Sequence, residues 1–134
     1  MSNVGEMDRV WRFLTDHPAL HDQTVHECGT AGCVAGWTVA LERGVKPGED
    51  LAGADSLWMN IGPRARQILG LTDPEAWALF YDTIDDRDEV RTSNAKALSL
   101  MAALIARDKG CPDAGDLAVL DRYGLPTEPA GGTP

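Results

Sequence analysis

Ala31-Gly-Cys33-Val-Ala-Gly-Trp37-Thr-Val-Ala-Leu41 runs for eleven residues without a charge, with only Thr38 interrupting its Ala, Gly, Cys, Val, Trp and Leu. Thr30 stands before it with a hydroxyl suited to accept a bond from an orphan amide, and Glu42-Arg43-Gly44 follows with a glycine where a left-handed stop belongs. The pattern predicts a helix from after Thr30 to Arg43. A helix that is apolar on every side must be covered on every side. The stretch therefore predicts an all-α fold, a compact bundle of five or six helices around this buried one.

Outward from that helix, the flanking segments supply the cover. Val4, Met7, Val10 or Trp11, and Leu14 recur at helical spacing between Asn3, a capping residue, and Pro18, a stop, which predicts a helix over 4–16. His17 to Gly29 is mixed and polar and reads as an ordered loop, and 44–56 is a Gly- and Pro-bearing surface connection. Pro63 opens a short helix to Leu69, and Gly70-Leu71 turns the chain into Thr72-Asp-Pro-Glu75. Thr72 and Glu75 have the capping-box spacing, so a helix should run from Asp73 to about Asp82, bringing Trp77, Phe80 and Tyr81 near one another. After a charged segment, Ser93 is a candidate cap for the longest helix, with Leu98, Met101, Ala102 and Ile105 on one face and Gly110 at its end. Pro112 can start a last helix to Tyr123, stopped by Gly124. Period-two runs of β-branched residues, internal repeats and heptads are missing. The chain thus reads as one helical domain over 1–125 with a tail, 126–134, that has nothing large to bury and is expected to be disordered.

Composition narrows the classes of function. The chain has 134 residues with 12 Lys and Arg against 21 Asp and Glu, a formal charge of −9, and 43% hydrophobic residues. That suits one core and disfavours nucleic acid or an anionic membrane as partner, because both require a basic face. The longest nearly apolar run, Leu98 to Ala106, is less than half of the roughly 20 residues a bilayer span needs. Met1 to Asp8 shows no basic region followed by an apolar core, so a cytoplasmic protein is expected, with its three cysteines reduced.

Several residue groups are candidates for chemistry. Cys33, near a helix start, and Cys28, just before it, sit where amides favour a thiolate. They are not a C-x-x-C pair, and the positions six after each cysteine, where a phosphatase loop carries Arg, hold Val34 and Val39. His26, Cys28 and Cys33, with His17 or His21, have zinc-binding side chains without the paired hooks of a structural site, so no metal is expected. Gly29-Thr30-Ala31-Gly32 could cradle an anion, but no Gly-Lys-Ser/Thr end follows it. Residues 63–82 have the outline of a helix-turn-helix, yet Asp73 to Asp82 offers no Lys, Arg, Asn or Gln to read DNA. The acids at 82–89 lack the glycine and terminal glutamate of a calcium loop.

What those acids do supply is a surface. Asp73 to Glu89 holds seven acids against Arg87 alone, a local charge of −6 within the total of −9. Helical periodicity buries part of the Trp77, Phe80 and Tyr81 set and leaves the rest exposed beside carboxylates. Trp77, Tyr81, Asp82, Asp85, Asp86 and Asp88 are accordingly the expected partner-binding residues, attracting a basic partner and holding it through an aromatic anchor.

Cys28-Gly-Thr-Ala-Gly-Cys33-Val-Ala-Gly-Trp37, preceded by His17-Pro-Ala-Leu-His21-Asp22-Gln23 and followed by Arg66-Gln-Ile-Leu-Gly-Leu-Thr72-Asp-Pro-Glu75-Ala and Leu79-Phe80, resembles a family of small uncharacterised proteins of actinobacteria and their phages. The resemblance spans roughly residues 10–82, and the family carries no assigned activity or catalytic residues. It implies a setting, an accessory protein of a phage or its host. The expectation is a non-enzymatic protein without a cofactor that binds a host or phage protein. The alternative is a small-ligand or nucleotide-binding protein, or a cysteine-dependent enzyme, built on His26, Cys28, Gly29, Thr30, Gly32 and Cys33.

Overall fold

A computed structural model describes residues 3–21, 33–44, 61–83 and 90–128. These residues form an all-α bundle: α1 (Val4–Asp16), α2 (Val34–Glu42), α3 (Ile61–Leu69), α4 (Asp73–Trp77), α5 (Val90–Asp108) and α6 (Ala114–Arg122). Pro18–Leu20 adds a 3₁₀ turn, and Ala78–Asp82 continues α4 as a wider π-helical turn.

The uncharged stretch is buried as its composition requires: every residue from Val34 to Ala40 lies in the interior. Trp37 is fully buried, with the Phe13 ring 4.7 Å away and its indole N–H donating to the Leu20 carbonyl at 2.7 Å. That bond gives the 3₁₀ turn a purpose, because a buried indole needs an acceptor and Pro18–Leu20 brings one over the ring. The start of α2 differs from expectation. Its cap is Cys33, in place of the expected Thr30: the Cys33 sulfur accepts from the Gly36 amide at 3.4 Å, and the helix begins at Val34.

Helix α1 connects the two halves of the bundle. Asn3 caps it through its side-chain oxygen, and Met7, Val10 and Leu14 are buried. It packs against α2 and α3 on one side and α5 on the other, and the Trp11 indole donates to the Leu98 carbonyl of α5 at 3.1 Å. Helix α5 starts by Val90, before the expected cap: Ser93 is fully buried inside the helix and does not cap it. Helix α6 packs on α5, capped by Asp113, which forms a reciprocal capping box with Asp116; Pro112 lies just outside that cap.

Two glycines reverse the chain at helix ends. Gly70, at φ +67°, ends α3 while the Leu71 amide reaches back to the Arg66 carbonyl at 3.0 Å, so the chain reverses directly into α4. Gly124, at φ +67°, ends α6 in the same way, with the Leu125 amide donating to the Leu120 carbonyl at 2.9 Å and Leu125 buried. These paired return bonds satisfy carbonyls that a helix end leaves open, and a side chain at that φ would be strained.

Candidate protein-binding face

The expected capping box at the start of α4 is formed. The Thr72 hydroxyl accepts from the Glu75 amide at 3.3 Å, and Glu75 Oε1 accepts from the Thr72 amide at 2.9 Å. Glu75 does more than cap. It is buried, and its Oε2 accepts from Arg107 Nη2 at 2.5 Å. Arg107, on α5 and equally buried, also donates from Nε to Asp108 Oδ1 at 2.9 Å and from Nη1 to the Pro126 carbonyl at 3.1 Å. Burial opposes the guanidinium charge, but the bonds to Asp108 and Glu75 outweigh it and hold the pKa above its ordinary value. One side chain thus ties α4, α5 and the first residue of the expected tail together.

With Glu75, Ala76, Ala78, Leu79 and Phe80 facing inward, the opposite side of α4 and its π turn is left to solvent. Trp77 is 61% exposed and Tyr81 42%, whereas Phe80 is 4% exposed. The split among the three aromatics is the one helical periodicity predicts. The two exposed rings lie against each other, centroids 4.7 Å apart and planes 42° to one another.

The π turn shapes this face. At the α-helical rotation of about 100° per residue, Asp82 would swing from Tyr81 toward the arc that holds Glu75 and Leu79. A wider turn rotates less per residue, and Asp82, at its end, is exposed. At the exit the Thr83 hydroxyl bonds back to the Leu79 carbonyl at 2.9 Å. Burial raises the pKa of Tyr123, and the negative charge of Asp82 adds to that effect while Arg122 opposes it. Asp82 therefore lies within electrostatic reach of the end of α6.

Helix α3 forms the other wall of a shallow groove. Gly62, Pro63 and Arg66 line it with Asp73, Ala76, Trp77, Phe80 and Tyr81. A Cβ at Gly62 would lie 3.6 Å from the Tyr81 hydroxyl, which places that ring over the first turn of α3. At the other end, Arg66 Nε is 3.4 Å from Asp73 Oδ1.

Of the expected partner-binding residues, Trp77 and Tyr81 line this groove, Asp82 follows Tyr81 as an exposed residue at the end of the π turn, and Asp85, Asp86 and Asp88 lie outside the described residues. Of the alternative ligand set, His26, Cys28, Gly29, Thr30 and Gly32 also lie outside them. Cys33 is 2% exposed, with its sulfur engaged at the helix cap. Among the described residues no group of three or more metal-ligating side chains stands together. Asp73 and Arg66 were not anticipated at the site, although Asp73, Trp77 and Tyr81 at successive four-residue steps are visible as one helical stripe.

Compared with protein-family models, curated proteins and solved structures, the chain has no match. Among the described residues no helix is long and apolar enough to cross a membrane.

Proposed function

We propose that the protein is a non-enzymatic accessory binding protein that engages a protein partner through the exposed face of α4 and its π turn. The observation that carries this reading is the exposed, contacting Trp77–Tyr81 pair. A single exposed apolar residue, such as Leu117 at 37%, is ordinary on any surface. Two contacting aromatics beside a groove are different, because their exposed parts together can remove on the order of 200 Å² from water when a partner covers them. The resemblance to small actinobacterial and phage proteins supports a host or phage protein as that partner, met in the cytoplasm.

The test is affinity capture from an actinobacterial lysate by the whole chain, by Trp77→Ser/Tyr81→Ser and by Leu117→Ser. The expected result is a discrete polypeptide held by the wild type and Leu117→Ser and lost with the double variant. Equal recovery by all three, or no polypeptide held by the wild type, overturns the proposal.

A further inference from the structure

We infer that the segment docking on this face is cationic, with arginine side chains laid on the Trp77 and Tyr81 rings, one guanidinium answered by Asp73 at one end of the stripe and another by Asp82 at the other. This rests on the protein-binding reading and names the chemistry of the partner.

Asp73, Trp77 and Tyr81 follow one another at four-residue steps, so a carboxylate and two aromatic rings form one stripe, and the exposed Asp82 follows Tyr81 at the end of the π turn. The faces of indole and phenol carry negative quadrupole charge and attract cations. The carboxylates at both ends reinforce that sign. The Asp73 side chain is 88% exposed and contacts a cation only through the long approach of Arg66; Asp82 forms no ion pair among the described residues. Arg66 itself shows that this end of the groove admits a guanidinium, held between Asp73 and, at 3.5 Å, the Leu71 carbonyl. A planar guanidinium stacks on a ring and forks to a carboxylate at once, which an ammonium cannot do.

Other occupants use less of the surface. A proline-rich segment would cover the rings and leave both carboxylates unanswered. A second copy would bring another −9 molecule with the same acidic stripe against this one.

The experiment is an NMR titration of the whole ¹⁵N-labelled protein with capped tetra-arginine, tetra-lysine, tetra-glutamate and tetra-proline peptides. The reporter is the Trp77 indole N–H, identified by its loss in Trp77→Phe. The bonds of Trp11 to Leu98 and Trp37 to Leu20, both away from this face, make those two indoles internal references. The arginine peptide should move the Trp77 signal and leave the references in place; lysine should bind more weakly, and glutamate and proline should not move it. Raising salt from about 50 to about 300 mM should weaken the arginine response about tenfold. Asp73→Asn/Asp82→Asn, which keeps both rings, should weaken it by roughly five- to tenfold.

A silent Trp77 signal, an equal response to tetra-proline, or a response indifferent to the two Asn replacements overturns the inference. If lysate capture depends on Trp77 and Tyr81 while the arginine titration is silent, the cationic chemistry fails and the binding reading stands. Capture indifferent to the two rings overturns the reading beneath it.

Discussion

Replacing Arg107 by Met should cost about 3–5 kcal/mol, the usual consequence of removing one partner from a buried ion pair. The structure shows where that cost arises. Arg107 is fully buried, and its loss strands Glu75 Oε2, the side chain of Asp108 at 3% exposure, and the Pro126 carbonyl. Methionine restores much of the aliphatic volume, so the deficit reflects charges left without a partner more than a cavity. Glu75→Gln separates the two causes. In the wild type it removes a charge from a satisfied pair while keeping an oxygen for the Thr72 amide, and should cost about 1–3 kcal/mol. In the Arg107→Met background it removes a stranded charge, and should return about 1–2 kcal/mol. The same substitution thus changes sign with its partner. Urea unfolding of the four proteins of this cycle, followed by far-ultraviolet circular dichroism, measures all three differences. If Glu75→Gln destabilises both backgrounds equally, the pair is not coupled and the clamp described for α4 is wrong.

The remaining predictions contrast the interior with the exposed face. Trp37→Ala should cost about 3–5 kcal/mol by denaturant midpoint, since the ring is fully buried and its bond to Leu20 is lost with it. Trp77→Ser should leave the midpoint within about 0.5 kcal/mol, because that ring faces solvent. Cys33→Ala should cost on the order of 1 kcal/mol, and Cys33→Ser less, because serine keeps an acceptor for the Gly36 amide. The Tyr123 phenol, raised by burial and then by Asp82, favours the protonated form in the fold. Its contribution is complete below its ordinary pKa of 10.0 and is lost as pH rises through the higher folded value. Stability measured against alkaline pH should therefore fall less steeply in Tyr123→Phe than in the wild type.

The fold was legible where a pattern can be satisfied within a few residues. Thr72 with Glu75 forms the expected capping box, Asn3 caps α1, and Gly44, Gly70, Gly110 and Gly124 all adopt positive φ after helix ends. The charge-free run before Glu42 announced its burial, because no side of that helix could face water without exposing apolar area. The misplaced starts have local causes. Thr30 is the stronger capping residue by chemistry, but the backbone turns extended at Cys33, at ψ 177°, and its sulfur takes the amide. Ser93 has a cap's hydroxyl, yet α5 is already under way at Val90, so it is carried into the interior.

The site depended on features with no short-range signature. Arg107 belongs by sequence to the last turn of α5, where a cation answers the helix dipole and ordinarily faces water. Only the approach of α4 from 32 residues away makes it a buried clamp. Glu75 was readable as a cap because that role uses one oxygen and a neighbour three residues back; its other oxygen serves a partner that periodicity cannot supply. The π turn is similar, since its wider hydrogen-bonding step changes the direction of Asp82 without changing a residue type. The buried bond and the exposed face are consequently one construction. Arg107 holds the inner side of α4 through Glu75, which fixes the outer side that Trp77 and Tyr81 occupy. A partner that presses on those rings meets a short helix braced from behind by a charge with no other route to solvent.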